Sequence, residues 1–175
     1  MASILNVDKI RSNAGTTDGL TIDTNGYVKT PARPAFNAVR SSDLNITATG
    51  WQMINIDSVE LDVGSNYNSS GYYVIPVDGV YQFNLHARFA NVGAGFVAMA
   101  LSDRTSGSSP TTNQTTTLFG NSYVINGSPD ATYESLSTSI VKELTANTNV
   151  QPWVYSADSN YYISTVTHFS GFLVG

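Results

Sequence analysis

The chain has 175 residues and a mass of 18.7 kDa, enough for one hydrophobic core with an appendage and too little for two ordinary domains. Hydrophobic residues at 41% exclude global disorder, and charged residues at 12% leave Ser, Thr and Asn to supply about a third of the chain. A net charge of -5, a pI near 4.7 and no basic run exclude nucleic-acid binding, which needs a concentrated field of Lys and Arg.

This composition points to a β protein. Thr, Tyr and Val suit a pleated, half-buried surface, Asn, Gly and Ser supply turns, and no long stretch carries an apolar period of 3.6. No apolar run reaches the 18 residues of a membrane helix, so membrane insertion is not expected. The start, MASILNVDKIRSN, lacks the apolar run and cleavage site of a signal peptide, so classical secretion is not expected either. Without cysteine there are no disulfides and no thiolate metal sites. Packing or oligomerisation must then supply the stability, which suits a protein made in a reducing cytosol and exposed outside it.

In chain order, residues 1–33 read as an arm and residues 34–175 as a globular body, with a stiff junction at TPARPAF, where Pro31 and Pro34 bias the backbone to extended structure. The arm holds two apolar stretches, ILNVDKI and LTIDTNGYV. Asn25-Gly26 between Thr21-Ile22 and Tyr27-Val28 signals a hairpin. Thirty residues cannot bury enough surface to fold alone, so the arm must lean on sister chains or on a partner. Its anchoring residues are expected to be Leu5, Val7, Ile10, Leu20 and Ile22.

The body runs through AFNAV, WQMINIDSVEL, GYYVIPV, GVYQFNLHARF, GFVAMAL, TTTLFGNSYVI, ESLSTSIVKEL, NVQPWVYS and YYISTVTHFSGFLV, divided by turns rich in Gly, Asn, Ser and Asp. About eight to ten short strands at this spacing read as a sandwich or barrel. Alternation places Tyr81, Phe83, Leu85 and Ala87 on an apolar side, and Val80, Gln82, Asn84 and His86 on a mixed one. The loop DRTSGSSPTTNQ, 103–114, lacks an apolar anchor and belongs at the surface.

Catalytic and metal chemistry finds little footing. Only His86 and His168 are present, placed to approach one another but without metal-ligand spacing. Asp57, Glu60 and Asp62 lack the oxygen-ligand pattern of a calcium loop and read as a solvated strand end. No Gly-x-Ser-x-Gly elbow occurs, and GAGF at 93–96 has neither the Lys nor the helix of a phosphate loop. No enzyme activity, no metal and no cofactor is assigned. The sequons at Asn45, Asn68, Asn113 and Asn126 are what chance supplies in so Asn-, Ser- and Thr-rich a chain.

Four blocks, PAFNAV, YNSSGYYVIPVDGVYQFNLHA, STSIVKELTANTNVQPWV and HFSGFLVG, resemble in that order the globular head of the complement C1q and tumour necrosis factor superfamily. The resemblance covers about residues 34–175 and implies an all-β, ten-stranded jelly-roll sandwich that assembles as a homotrimer. It also implies that Phe36, Tyr81, Phe83, Trp153, Phe169 and Phe172 serve the core or the trimer interface. Gly71 and Gly79 would then permit tight turns or close strand approach. The family's Gly-Asp turn is replaced by Asn147 and Asn149, and no collagen-like stalk is present.

The arm, ILNVDKIRSNAGTTDGLTIDTNGYVKTP, is similar to leader segments of virion structural proteins in tailed bacteriophages, especially cyanophages. This resemblance implies a virion location, with the protein made in the host cytoplasm and exposed on the particle. It implies a capsid decoration or cement protein, a head fibre or knob, with the major capsid protein or other virion proteins as partners. The alternative is the receptor-binding tip of a short tail fibre that recognises host-surface glycans. Trp51, Trp153, Tyr72-Tyr73 and Tyr161-Tyr162 would supply its sugar-stacking faces.

Overall fold

The computed structural model describes residues 7–11, 13–16, 18–91, 96–103, 118–125, 133–157 and 161–175, with the backbone alone for 121 and 123–125. Leu5, most of the 103–114 loop, GAGF up to Gly95, and the sequons at Asn113 and Asn126 lie outside the described residues.

The arm forms a three-stranded antiparallel sheet of β1 (Lys9–Ile10), β2 (Leu20–Ile22) and β3 (Val28–Lys29), with β2 central. Its hairpin turns at the expected place but in a wider form than Asn-Gly alone would make. Gly26 N–H donates to the Asp23 carbonyl, Gly26 takes the positive φ of 82°, and the Asp23 carboxylate accepts the N–H groups of Asn25 and Tyr27.

The body is all β. Its strands are β4 (Ala35–Val39), β5 (Leu44–Ile46), β6 (Gly50–Met53), β7 (Ser58–Val63), β8 (Tyr67–Asn68), β9 (Tyr72–Val74) and β10 (Gly79–Ala90). There follow β11 (Phe96–Ser102), β12 (Leu118–Ile125), β13 (Tyr133–Leu144), β14 (Asn149–Ser156), β15 (Tyr161–Ile163) and β16 (His168–Leu173).

These are more pieces than ten strands. WQMINIDSVEL breaks into β6 and β7, and the last segment breaks into β15 and β16 at a turn in which Thr167 N–H donates to the Ser164 carbonyl. The short strands β5 and β8 escaped the period-2 pattern, because two or three residues show no alternation to read.

Two antiparallel sheets face each other. In the first, β13, β10, β16, β4 and β7 lie side by side, and β15 and β5 extend the edge of β10 beyond β16. In the second, β12, β11, β14, β9 and β8 follow in order, with β6 sharing an edge of β14. Strand β10 shows why the sheets pack: Tyr81, Phe83, Leu85, Ala87 and Phe89 are buried, while the residues between them are only half-buried. Each large side chain so buried contributes about 1.5–3 kcal/mol.

The core is strongly aromatic at the β4–β16–β10 end. Phe36 stacks on Tyr73 at 4.2 Å between centroids and meets the edge of Phe169 at 4.7 Å. Gly171 makes this possible: a Cβ there would sit 2.6 Å from Phe83 Cδ1 and 2.8 Å from Phe36 Cε1. Gly71 answers a different need, combining a φ of 85° with backbone contact to Asn55 and Ile56 that leaves no room for a Cβ.

Asn147 takes the conformation that glycine would otherwise fill, with a φ of 66°, and donates its N–H to the Ile75 carbonyl. Nor is the junction a free linker. Arg33 hydrogen-bonds through its guanidinium to the carbonyls of Leu173 and Val174, and Leu173 N–H donates to the Pro34 carbonyl, so the arm's root is tied to the final strand.

Candidate functional site

Three surfaces stand out. The first is the outer face of the first sheet. Register lays three rows across it: Val141, Gln82, Phe172 and Ala35; then Ser139, Asn84, Ser170, Asn37 and Leu61; then Ser137, His86, His168 and Val39. Val141 is 57% exposed and Phe172 39%, so the row nearest the arm is open at two apolar residues, and the other two rows are Ser and Asn with the two histidines, Val39 and the exposed Leu61. At the far end Arg88 lies over the Tyr133 ring at 3.8 Å from its centroid.

His86 Nδ1 lies 2.8 Å from Ser137 Oγ, and its ring stacks on that of His168 at 5.1 Å between centroids. Burial, and then the neighbouring His168, hold His86 below its ordinary pKa of 6.5. A Ser–His pair becomes nucleophilic when a carboxylate orients the base, and His86 has another imidazole in that neighbourhood instead. The nearby carboxylates are separately engaged: Asp57 by Ser41 and Arg40, Asp62 by the N–H groups of Asn66 and Tyr67, and Glu60 by Asn37. Among the described residues no cluster of three metal-ligating side chains forms.

The residues expected in the core or interface divide three ways. Phe36, Tyr81, Phe83 and Phe169 lie in the core between the sheets. Phe172 points the other way, onto the open face. Trp153 is on neither: it is 3% exposed, outside the inter-sheet cluster, on the outer side of the second sheet opposite Ala100, with no hydrogen-bond partner for Nε1 among the described residues.

That outer side is the second surface. Tyr155 meets the edges of both Trp51, at 5.6 Å, and Phe96, at 5.4 Å, and all three are half-buried. Of this cluster of three, Trp51 alone was a candidate from the sequence; Tyr155 and Phe96 lie far from it along the chain and no local pattern joins them to it. Of the tyrosine pairs, Tyr73 and Tyr161 are buried while Tyr72 and Tyr162 are half-buried on the opposite side.

The third surface is the arm. Ile10 and Leu20 pair across β1 and β2, and Ile22 and Val28 across β2 and β3, which puts all four on one side. Lys9, Thr21 and Lys29 occupy the other side. Of the expected anchoring residues, Ile10, Leu20 and Ile22 therefore share a face, and Val7, half-buried, precedes the first strand.

Residues 35–174 match the family model described as C1q domain. The chain belongs to the C1q domain family. This C1q domain has the fold of the globular domain of zebrafish complement 1qA, to which it is 20% identical with a TM-score of 0.56, over 82% of this chain and 98% of that one. It is similar to the tumour necrosis factor Eiger of S. frugiperda at 9% identity and a TM-score of 0.62, over 82% and 94%. It is similar to murine APRIL at 12% identity and a TM-score of 0.59, over 81% and 99%. No curated protein matches the chain. The C1q jelly roll therefore stands as the fold, and domains of this class typically form homotrimers.

Proposed function

We propose that the chain is a structural virion protein of a bacteriophage: a homotrimer of C1q-like knobs that decorates or cements the capsid and is held there by its N-terminal arms. The observation that carries this reading is the arm. It is too small to be a domain, yet it is an ordered sheet tied by Arg33 to the root of the knob, and the outer edges of β1 and β3 carry no further strand among the described residues. Its sequence, VDKI followed by GLTIDTNGYV, resembles leader segments of phage virion proteins.

Such edges bind by adding strands to a partner's sheet through main-chain hydrogen bonds. Three arms on one trimer multiply a weak contact into a strong one. The trimer itself uses the outer face of the first sheet, where Val141 and Phe172 supply apolar contact and the serines and asparagines supply hydrogen bonds. The mechanism is mechanical, without catalysis.

Deleting residues 1–30 is expected to leave a folded trimer that no longer binds particles. Decoration of capsids by the shortened chain would overturn the anchoring role.

The half-buried cluster of Trp51, Tyr155 and Phe96 favours a second reading, a receptor-binding tip that stacks host-surface glycans. Glycan-array binding that Trp51→Ala abolishes without changing the mass of the assembly supports it. Silence across a broad array counts against it.

A further inference from the structure

The arm sheet is two-faced, and the two faces are finished differently. On the polar face Lys9 pairs with Asp18 at 3.0 Å, and Lys29 with Asp23 at 3.1 Å. Asp23 is also engaged by its own turn. Both lysines of that face are paired within one chain. On the other face Ile10, 55% exposed, and Val28, 62% exposed, stand open beside Ile22 and half-buried Leu20. So contiguous an apolar face on so small a sheet requires a cover.

We propose that three arms pack their apolar faces together about the knob's threefold axis, forming a short triangular stalk whose interior is Ile10, Leu20, Ile22 and Val28 of each copy. The inference rests on the trimeric reading above, and it assigns a separate job to the face of the arm from the one proposed for its edges.

Two observations select sister arms as the occupant. The first is continuity. The arm leaves the body at Pro34, next to Ala35, and Ala35 opposes Phe172 in the same row as Val141. The exposed apolar end of the trimer face therefore runs directly toward the arm. At this junction an open groove of about 420 Å³ lies between Gly19 and Thr30 of the arm and Val77 and Leu173 of the knob, so the two parts are close together there. The second is tethering. Arg33, bound to the carbonyls of Leu173 and Val174, fixes the point from which each arm departs. In a trimer the three arms start from equivalent points around one axis, and each meets the others at the high effective concentration of a short tether. A closed threefold ring leaves no apolar face over, whereas a capsid surface meeting one arm at a time would have to supply a matching apolar patch for each.

The consequence is a division of labour. Faces hold the arms to each other, the charged outer side with its ion pairs keeps the stalk soluble, and the edges of β1 and β3 remain open for a virion partner.

The chain has no cysteine, so a single introduced thiol reports its own neighbours. Val28 and Lys29 are adjacent and point to opposite faces. In the full-length protein, Val28→Cys is expected to form interchain links with a short thiol–thiol cross-linker about tenfold faster than Lys29→Cys, at a rate independent of protein concentration, with Ile22→Cys behaving like Val28→Cys. The mass of each variant is measured in the same sample. Equal rates for the two faces, or rates that climb with concentration, in a protein whose mass is three chains overturn the stalk and leave the trimer standing. A mass of one chain overturns the trimer and the stalk together.

Discussion

His86 and His168 oppose one another on β10 and β16, their rings stacked 5.1 Å apart and inclined by 24°. Two imidazoles in this position cannot both take up a proton without placing like charges side by side. Arg88, two residues along β10 on the same face, adds a further positive charge, while Ser137 on β13 and Val39 on β4 bring none of the opposite sign.

The pH dependence has a definite sign. His86 titrates below its ordinary 6.5 in the folded protein, so between that folded value and 6.5 the unfolded chain binds more protons. Stability is therefore full above about 6.5, falls as the pH drops below it, and levels off beneath the folded value. Thermal melting from pH 8 to 5 is expected to show this decline, and His168→Gln should reduce it. Asp57 acts later: the Ser41 N–H holds it below 3.8, so its contribution is lost only as the pH falls from there. A melting temperature flat from pH 8 to 5 would remove the His pair from the account.

Gly171 sits under Phe83 and Phe36 with no room for a methyl group. Gly171→Ala is expected to destabilise the fold by about 2–3 kcal/mol through overpacking, read as a lower urea midpoint at unchanged slope. An unchanged midpoint would mean that the aromatic layer is loose.

Phe169 and Phe172 should respond in opposite ways. Phe169→Ala empties a fully buried site and is expected to cost about 3–5 kcal/mol of stability. Phe172→Glu touches the open face, so the subunit is expected to remain folded while the assembly loses mass at micromolar concentration. Circular dichroism and light scattering on the same samples separate the two effects.

Asn147→Ala tests the replaced turn. An L residue without a short polar side chain is penalised at positive φ, so a loss of about 1 kcal/mol is expected, again from urea unfolding. Asn147→Gly should keep the wild-type midpoint within a few tenths of a kcal/mol. Equal losses for both variants would contradict the assignment.

What could be read from sequence follows from burial. Strand β10 was legible because one of its faces is buried and the other is not, so Tyr81 to Phe89 alternate visibly. The same parity places Phe169 and Gly171 inward and Phe172 outward, a distinction available in HFSGFL and missed when the aromatics were grouped. Strand β14 hid its orientation: from Val150 to Val154 both faces are buried, and period 2 then says nothing about which side Trp153 takes. The Trp51, Tyr155 and Phe96 cluster and the Arg33 tie arise from pairing between distant segments, 140 residues apart for Arg33 and Leu173, and no local pattern announces them. The arm's two-facedness was partly legible, since Leu20 and Ile22 alternate with Thr21, but the partner strands that complete the face appear only in the fold.

The proposed homotrimer assembles through the open face of the first sheet. Light scattering on the purified full-length chain across a range of concentrations tests it most directly: a constant mass of three times 18.7 kDa is predicted, and a mass that stays at one chain would contradict it.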